Sequence, residues 1–509
     1  MPLNVLMLMV DDLRPELGAY GSDWLRTPHI DQLAERSVLF TEAFAAVANC
    51  APSRASILTG LRPRTHGVLD LKTHIRDVLP NVITLPQHFR NAGYLAVSYG
   101  KINHQFLDDA LSWSPQSEFP DHHDYRGKRG RAWQRAGGFI RGFKYNQYHE
   151  ADNVRKQEYF RSLRKQGSKM SPNRLLPPME RGTRVAASAY TDHLIASSAI
   201  AALRVLLKQR RPWFLAVGFI RPHLPFNAPE EFFTRVRRSS IPQPAPLRPP
   251  PSLSKLTARH LRCGDGELFD YNISRRGFLA TSRKGRHLAH AYAACVSFVD
   301  MQVGRVLDVV RSELNHSLVV FLGDHGFKTG IYGGWGKHTL MREDTRVPLL
   351  VSAPGFLPKR VIAPVELIDL YPTLTELAGL ASPSSHRLEG RSLVPLMRPL
   401  APKWRIESAA AFSQWPLAVN GLPRCMGYSV RVHRWAFIQW TADDSRGHPT
   451  GEDVSACAQH FDLLALSHDS SGLRREVVVA AKHNRPELIQ RLRALLSRTF
   501  QLPASLRIS

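Results

Sequence analysis

Residues 4–12 of the chain read NVLMLMVDD. Six apolar residues in a row, from Val5 to Val10, are typical of a strand that is buried on both faces in a parallel sheet. The run is followed directly by two carboxylates, Asp11 and Asp12. Because ligands bind beyond the carboxyl ends of the strands in open α/β sheets, this stretch predicts both a buried strand and a polar site where the strand ends.

Similar apolar runs alternate with helical patterns along the chain. Further strands are predicted at 94–100, 213–219, 317–323 and 347–355, and helices at 84–93, 189–210, 290–314 and 366–380. The segment at 28–40 is helical at first and then strand-like. Continuous apolar strands that alternate with helices indicate an α/β fold with a large, mainly parallel sheet sandwiched between helices.

The pattern changes beyond about residue 402. Short alternating segments such as 428–440 predict antiparallel strands, and 485–498 predicts a final helix. We therefore expect a large domain at 1–402 and a smaller C-terminal α+β domain at 403–509 that contains an antiparallel sheet.

Two segments of the large domain do not follow the α/β pattern. Residues at about 111–184 are rich in Arg, Lys, Gly and aromatic residues, and we interpret them as a basic surface insertion. The alternative is a basic rim over an active site. Residues 239–254 are Pro-rich and are expected to form a linker or loop.

Polar side chains follow four of the predicted strands where those strands end. They are Asp11 and Asp12, Lys101 and His104, Arg221 and His223, and Asp324 and His325, with Lys337 a short loop later. Any one of them alone could be a helix cap or a satisfied surface group, and capping is also the alternative for the two adjacent acids. Because the carboxyl ends of parallel strands meet at one edge of a sheet, we expect all of these groups to lie together.

Three of these groups, Asp11, Asp12 and Asp324, are carboxylates that would repel one another in a partly buried site. A bound divalent cation relieves such repulsion. Oxygen-rich ligation favours a hard ion, calcium or magnesium, whereas His325 beside it leaves room for zinc or manganese. The pattern therefore predicts one divalent cation at this edge of the sheet.

The chain is strongly basic, with 68 Lys and Arg against 43 Asp and Glu and a formal net charge of +25. Such an excess is consistent with solubility alone, but it also favours an anionic substrate or partner such as a nucleic acid or a sulfated polysaccharide. Without a paired Cys/His finger, a basic zipper or an RNA-binding sheet signature, we expect no nucleic-acid partner. The sequence has no apolar run of about 18 residues, so we also expect no membrane span.

The segment at 50–60, CAPSRASILTG, resembles the signature of the sulfatase family within the alkaline-phosphatase-like superfamily. Other segments resemble that family in the same order: MVDDLRPELGAYG, GKINH, VGFIRPHLPF, HAYAACVSFVDMQVGRVL, GDHGFKTGIYGGWGKHT and VELIDLYPTLTELAGL. The resemblance covers most of the chain and is weakest at 111–184 and 239–280. It implies an alkaline-phosphatase-like fold and the hydrolysis of sulfuric esters.

The resemblance also implies a role for Cys50, whose alternative is an ordinary buried thiol. In sulfatases this cysteine is oxidised to formylglycine, an aldehyde, by a formylglycine-generating enzyme that recognises the residues matching Pro52 and Arg54. The metal ligands carried over from the family are Asp11, Asp12, Asp324 and His325, with the modified Cys50 completing the coordination sphere. Calcium is the first choice of metal.

The catalytic groups implied by the resemblance are Cys50, Arg54, Lys101, His104, His223 and Lys337. Arg54 holds the hydrated aldehyde, and the basic residues surround the sulfate. A hydrate oxygen attacks sulfur, and the alcohol leaves with a proton from Lys337 or His223. His104 then takes the proton of the second hydroxyl, sulfate is expelled and the aldehyde returns.

Within the family, the segments PHLPF and MGYSVR and the pair Asp324-His325 resemble the iduronate branch most. The substrate implied is the 2-O-sulfate of non-reducing-end iduronate in heparan or dermatan sulfate. Departures at Gly323, Phe327 and Ile331-Tyr332 keep other readings open: a sulfatase of another sugar specificity, a phosphomonoester or phosphodiester hydrolase of the same superfamily, and a non-catalytic heparin-binding relative.

The opening residues, MPLNVLMLMVDDL, have no basic n-region and no cleavage site of small residues. We interpret this as a protein that is not secreted or as a chain that lacks its natural leader. The expected location is the lysosome or secretory pathway for a eukaryotic chain with a missing leader, and the cytoplasm or periplasm for a bacterial one.

Overall fold

The computed structural model describes most of the chain. The described ranges are 2–105, 107–114, 176–183, 185–244, 252–263, 266–273, 283–399, 409–417, 425–442, 461–468, 474–479 and 485–502, with residues 155, 156, 158, 159, 162, 163, 457 and 460. Most of the predicted insertion at 111–184, part of the Pro-rich segment and the domain boundary predicted at 402–403 lie outside the described residues. That boundary stays a prediction.

The strands of the described residues are numbered in chain order. They are β1 (Asn4–Val10), β2 (Val38–Phe44), β3 (Leu95–Gly100), β4 (Met179–Gly182), β5 (Trp213–Phe219), β6 (Phe226–Pro229), β7 (Ser317–Gly323), β8 (Lys328–Thr329), β9 (Trp335–Gly336), β10 (Arg346–Ser352), β11 (Lys359–Val361), β12 (Val365–Glu366), β13 (Ala411–Leu417), β14 (Cys425–Val432), β15 (Trp435–Ala442), β16 (Phe461–His468) and β17 (Arg474–Val478).

The α-helices of the described residues are numbered in the same way. They are α1 (Pro28–Ala34), α2 (Cys50–Thr59), α3 (Pro63–His66), α4 (Ile75–Val78), α5 (Leu85–Asn91), α6 (Thr191–Leu206), α7 (Glu230–Arg235), α8 (Lys255–Cys263), α9 (Arg283–Val309), α10 (Arg342–Thr345), α11 (Leu370–Leu377), α12 (Val394–Met397) and α13 (Pro486–Phe500). None of the helices in the described residues is long and apolar enough to cross a membrane.

The first apolar run forms β1, with the predicted bounds, in the middle of an eight-stranded sheet. The strand order is β11-β2-β10-β7-β1-β5-β3, and β12 also pairs with β2. The neighbours β3, β5, β1 and β7 are mutually parallel. These are the four strands expected to deliver polar groups to one edge, so the predicted mainly parallel sheet is confirmed.

The strand predicted at 347–355 is present as β10, but it runs antiparallel to both of its neighbours, β7 and β2. Because β10 is antiparallel to both, β2 runs in the same direction as β1. The chain that leaves β2 therefore reaches the same edge of the sheet as the chain that leaves β1.

Alternate residues of β1 enter two separate cores on the two faces of the sheet. Leu6, Leu8 and Val10 pack with residues of helices α6 and α9. Val5, Met7 and Met9 pack with residues of α2, α5 and α11 on the opposite face. Because both faces of β1 are buried, its apolar run is continuous rather than alternating. Burial of each such side chain contributes about 1.5–3 kcal/mol.

The C-terminal region contains the predicted antiparallel sheet, with the order β13-β14-β15-β16-β17. One face of this sheet packs on α13, the helix predicted at 485–498, and the other faces residues 253–261 and 340–341. A disulfide joins Cys425 in β14 to Cys457. The sequence did not predict this bond. Cys50 and Cys295 are buried free thiols.

Candidate active site

The edge formed by the carboxyl ends of β3, β5, β1 and β7 brings the predicted site residues together. The group comprises Asp11, Asp12, Cys50, Arg54, Lys101, His104, His223, Asp324, His325 and Lys337, and each of their side chains is buried. Contacts between members of this group connect the segments that follow five strands, β1, β3, β5, β7 and β9, with helix α2. The residues that the sequence placed at this edge therefore do lie close together, whereas their catalytic and metal-binding roles stay predictions.

The two adjacent acids both face the cluster because the backbone turns sharply after β1. Asp12 has φ 59°, in the left-handed region that residues other than glycine rarely adopt. Its amide donates to Asp324 Oδ1 at 3.1 Å, and its carbonyl accepts from the Tyr292 hydroxyl at 2.8 Å. These bonds from β7 and α9 hold the turn, so the carboxylates reach the cluster rather than cap a helix.

Cys50 occupies the first turn of α2, directly after the segment that leaves β2. Its sulfur lies 3.2 Å from His325 Nε2, 3.4 Å from Lys337 Nζ and 3.6 Å from Asp11 Oδ1. Burial alone would raise the pKa of the thiol, but the cations Lys101, Lys337 and His325 lower it well below its usual value. The cysteine is therefore surrounded by positive charge at a helix N-terminus, where a nucleophile is activated.

Buried cations pair with each carboxylate of the cluster. Lys101 Nζ donates to Asp11 Oδ2, and Lys337 Nζ lies 2.7 Å from Asp12 Oδ1. The guanidinium of Arg54 bridges Asp324 Oδ2 at 2.8 Å and Asp11 Oδ1 at 3.3 Å. This guanidinium also donates to the carbonyl of Ile102 at 3.2 Å, which ties α2 to the end of β3.

Despite these pairs, the carboxylates are not all stabilised in the ionised form. Burial raises the pKa of Asp324 to about 6, and it also raises the pKa of Asp12. Burial works in the same direction at Asp11, but Lys101, His223 and Arg54 together lower the pKa of that carboxyl. Two of the three carboxyls are thus harder to ionise than in water, so further positive charge would stabilise their ionised forms.

The geometry fits a metal ion. Ligand atoms of Asp11, Asp12, Cys50 and His325 all lie within 4.8 Å of one another. Asp12 Oδ2 is buried and has no hydrogen-bond partner in the described part of the chain. Asp324 Oδ2 lies 3.7 Å from His325 Nε2, at the border of the same cluster. A cation placed among these atoms would satisfy the orphaned oxygen and offset the like charges.

Two histidines, His223 and His104, border this cluster. Nδ1 of His223 is 2.6 Å from the carbonyl oxygen of Leu224, and Nε2 is 3.0 Å from Glu267 Oε1. Burial would lower the pKa of His223, but the carboxylate of Glu267 raises it to about 10. His104 hydrogen-bonds to the side chain of Cys50, and burial keeps its pKa below the usual value. One histidine is therefore charged and the other neutral, which suits a proton donor and a proton acceptor.

Sequence reasoning missed Glu267. Its Oε2 lies 3.3 Å from Lys337 Nζ, so one carboxylate contacts both His223 and Lys337. Glu267 precedes a 3-10 turn at Leu268–Asp270, in a segment without an apolar run or a family motif. No local signal in the sequence marks it.

Two departures from the family pattern have a structural explanation. At Gly323 a Cβ atom would lie 2.6 Å from the carbonyl oxygen of Leu13, so the close approach of these two backbone segments requires glycine. Phe327 is buried and stacks on Tyr292, with ring centroids 5.7 Å apart. Since Tyr292 holds the backbone of Asp12, Phe327 supports the site by packing.

The fold and the site together define a hydrolase of the alkaline-phosphatase-like class. The model of the family described as Sulfatase matches residues 3–380. Iduronate 2-sulfatase of Mus musculus is 30% identical over 500 residues, which cover 87% of this chain and 85% of that protein. The chain thus belongs to the sulfatase family, and the protein is a sulfuric ester hydrolase.

Solved structures agree in fold. A phosphonate monoester hydrolase of Agrobacterium radiobacter has a TM-score of 0.70 at 23% identity, with 98% of this chain and 96% of that chain covered. A 2-O GAG sulfatase has a TM-score of 0.63 at 20% identity, with 98% and 92% covered. At these identities the likeness establishes the architecture and leaves the substrate open.

Proposed function

We propose that the protein removes sulfate from glycosaminoglycans, with the 2-O-sulfate of non-reducing-end iduronate in heparan or dermatan sulfate as its substrate. The observation that carries the proposal is the position of Cys50. It lies in the CAPSR motif at the start of α2, within 3.6 Å of Asp11, His325 and Lys337. Similarity to iduronate 2-sulfatase and to a 2-O GAG sulfatase supports the substrate. The net charge of +25 favours capture of a polyanion.

We assign Asp11, Asp12, Asp324, His325 and the modified residue 50 as ligands of one divalent cation, and we propose calcium because most of the ligand atoms are oxygens. When bound, the cation lowers the pKa of the nucleophile and polarises a sulfate oxygen. Arg54 keeps Asp324 and Asp11 in place through its two ion pairs, and Lys101 restrains the second oxygen of Asp11.

Formylglycine made from Cys50 supplies an oxygen nucleophile in hydrated form, which is why a plain thiol does not suit this position. His223 and Lys337 carry the N–H groups that neutralise the sulfate oxygens and protonate the departing alcohol. His104 contacts residue 50 and takes a proton from it as sulfate is released. The low pKa of His104 keeps its ring neutral for this role.

The function is tested first at Cys50. Protein produced together with a formylglycine-generating enzyme is digested, and the mass of the peptide that contains residue 50 is measured. We expect the mass of the aldehyde or its hydrate, and we expect Cys50→Ala to lose hydrolysis of an aryl sulfate while keeping its thermal unfolding midpoint within a few degrees. Full activity of Cys50→Ala would contradict the assignment.

The substrate is tested by comparing heparin-derived disaccharides that carry sulfate on the uronate 2-position or only on glucosamine. An aryl sulfate and an aryl phosphate complete the panel. We expect the highest kcat/KM for the uronate 2-sulfate. Preference for glucosamine sulfate would indicate another sugar specificity, and preference for the phosphate would indicate a phosphoester hydrolase of the same superfamily. Binding of heparin without any hydrolysis would indicate a non-catalytic relative.

A lysosomal or secretory location is proposed only for a eukaryotic chain, and a cytoplasmic or periplasmic one for a bacterial chain. Fractionation of cells that express the tagged protein from its native gene distinguishes these locations.

A further inference from the structure

The side chain of Glu267 spans the two groups that face the sulfate in the proposed reaction. Its Oε1 lies 3.0 Å from His223 Nε2, and its Oε2 lies 3.3 Å from Lys337 Nζ. A carboxylate presents two oxygens to two cationic donors, as a sulfate ester would. Glu267 thus contacts the donors in the way that an anionic substrate is expected to contact them.

The donors of His223 and Lys337 are already engaged by these contacts. His223 directs Nδ1 at the Leu224 carbonyl and Nε2 at Glu267, so both ring nitrogens face acceptors. Lys337 has three N–H groups, and its nitrogen lies 2.7 Å from Asp12 Oδ1, 3.3 Å from Glu267 Oε2 and 3.4 Å from Cys50 Sγ. A sulfate oxygen that accepts a hydrogen bond from Nε2 of His223 must therefore displace Glu267.

The backbone beside Glu267 is fixed, whereas its side chain has an exit. Leu268 and Tyr271 are buried in the core on the α9 face of the sheet, and the amide of Asn272 donates to the Leu176 carbonyl at 2.9 Å. The Glu267 side chain is 24% exposed, in contrast to the nearly buried His223 and Lys337. Rotation of this side chain toward solvent frees both donors without moving the turn.

We propose that Glu267 is an internal competitor for the sulfate subsite. Its carboxylate occupies the donors of His223 and Lys337 until an anionic substrate displaces the carboxylate. The proposal rests on the proposed roles of His223 and Lys337 as sulfate-binding groups. Glu267 then sets the affinity of the site: if the displaced state is about 10% populated, the apparent affinity for an anion is weakened about tenfold. Glu267 therefore tunes the affinity for the anion and takes no part in the chemical step.

The test measures binding of inorganic sulfate by calorimetry, which does not depend on turnover. The variants are Glu267→Gln, which removes the charge, and Glu267→Asp, which keeps the charge on a side chain one methylene shorter. We expect both to bind sulfate at least about threefold more tightly than the native chain. In parallel, KM for an aryl sulfate should fall by a similar factor in both variants, with a smaller change in kcat. The matched control is Asp270→Asn, which removes an exposed charge from the same turn and should bind sulfate like the native chain.

Each alternative outcome is informative. Tighter binding in Glu267→Gln but not in Glu267→Asp would indicate a general effect of charge and would overturn the competitor role. Unchanged or weaker binding in both variants would overturn it as well and make Glu267 a structural support of His223. If the native chain and the variants follow the expected binding order but hydrolyse no sulfate ester, the proposed function fails and the competitor role stands. If none of them binds sulfate, both fail.

Discussion

The ammonium nitrogen of Lys337 lies 3.4 Å from the sulfur of Cys50, and the same nitrogen is 2.7 Å from Asp12 Oδ1. The lysine follows the short strand β9, and the next residue, His338, has φ 79°. This strained turn directs the lysine inward, where its side chain is almost fully buried. One cation therefore serves both the nucleophile position and a carboxylate of the candidate metal site.

Replacement of Lys337 should impair catalysis more than binding. We expect Lys337→Ala to lower kcat for an aryl sulfate by about 10²–10³-fold, because a donor aimed at developing charge is lost. Steady-state kinetics measure the effect, and Lys208→Ala, at an exposed position two residues after the end of α6, is the control. A kcat within threefold of the native value would show that Lys337 does not act on the transition state.

Asp324 is predicted to contribute to metal binding. It pairs with Arg54 at 2.8 Å and lies beside His325, and burial raises its pKa to about 6. Asp324→Asn should lower both the metal content, measured by elemental mass spectrometry, and kcat/KM, whereas the exposed Asp308→Asn should change neither. Chelator treatment of the native protein should reduce activity, and added calcium should restore it. Full metal occupancy in Asp324→Asn would mean that the carboxylate is structural.

The central strands were predictable because their physics is local. Residues 4–10, 213–219 and 317–323 form β1, β5 and β7 with the predicted bounds. The apolar runs of β1 and β7 end abruptly, at Asp11 and Gly323. A strand that is buried on both faces requires apolar side chains at nearly every position, so it is visible as a continuous apolar run. The polar residues that follow these strands then lie at one edge, because the strands are parallel neighbours.

Direction, pairing and isolated side chains were less accessible. An apolar run does not encode whether a strand is parallel, so the reversal of β10 was visible only in the structure. Helix α9 begins at Arg283 rather than near 290, because its first turns are charged and carry a weak apolar signal. The pairing of Cys425 with Cys457 and the approach of Glu267 to His223 depend on tertiary contacts between distant segments. Neither leaves a periodic pattern in the sequence.

His66 is expected to make the fold sensitive to acid. It ends α3, its Nδ1 accepts from the Val68 amide at 3.1 Å, and its Nε2 lies 2.9 Å from Ser56 Oγ of α2. Burial lowers its pKa from 6.5 to about 3. Below pH 6.5 the unfolded chain therefore binds a proton that the folded chain does not, so stability should fall as pH decreases from 6.5 toward 3, by up to about 1.4 kcal/mol per pH unit.

The measurement is the free energy of unfolding in urea at several values of pH. His66→Asn keeps an acceptor near the Val68 amide but cannot be protonated, so its stability should depend less on pH across this window than that of the native chain. His316→Asn, at an exposed position, should retain the native pH dependence. Equal slopes for all three proteins would exclude His66 as an acid-sensitive group.

The disulfide between Cys425 and Cys457 should stabilise the C-terminal sheet by closing a loop with a sequence separation of 32. The loss of chain entropy in the unfolded state predicts a contribution of about 3–4 kcal/mol for a loop of this size. Unfolding in urea, with and without reductant, should therefore give a lower free energy of unfolding for the reduced protein, with mass spectrometry of alkylated thiols to confirm reduction.

The double replacement of Cys425 and Cys457 by Ala should be equally destabilised and insensitive to reductant. Cys295→Ala removes a buried free thiol and should stay sensitive to reductant like the native chain. If reduction is complete and the free energy of unfolding does not change, the bond does not stabilise the fold, and the packing of β14 between β13 and β15 is sufficient by itself.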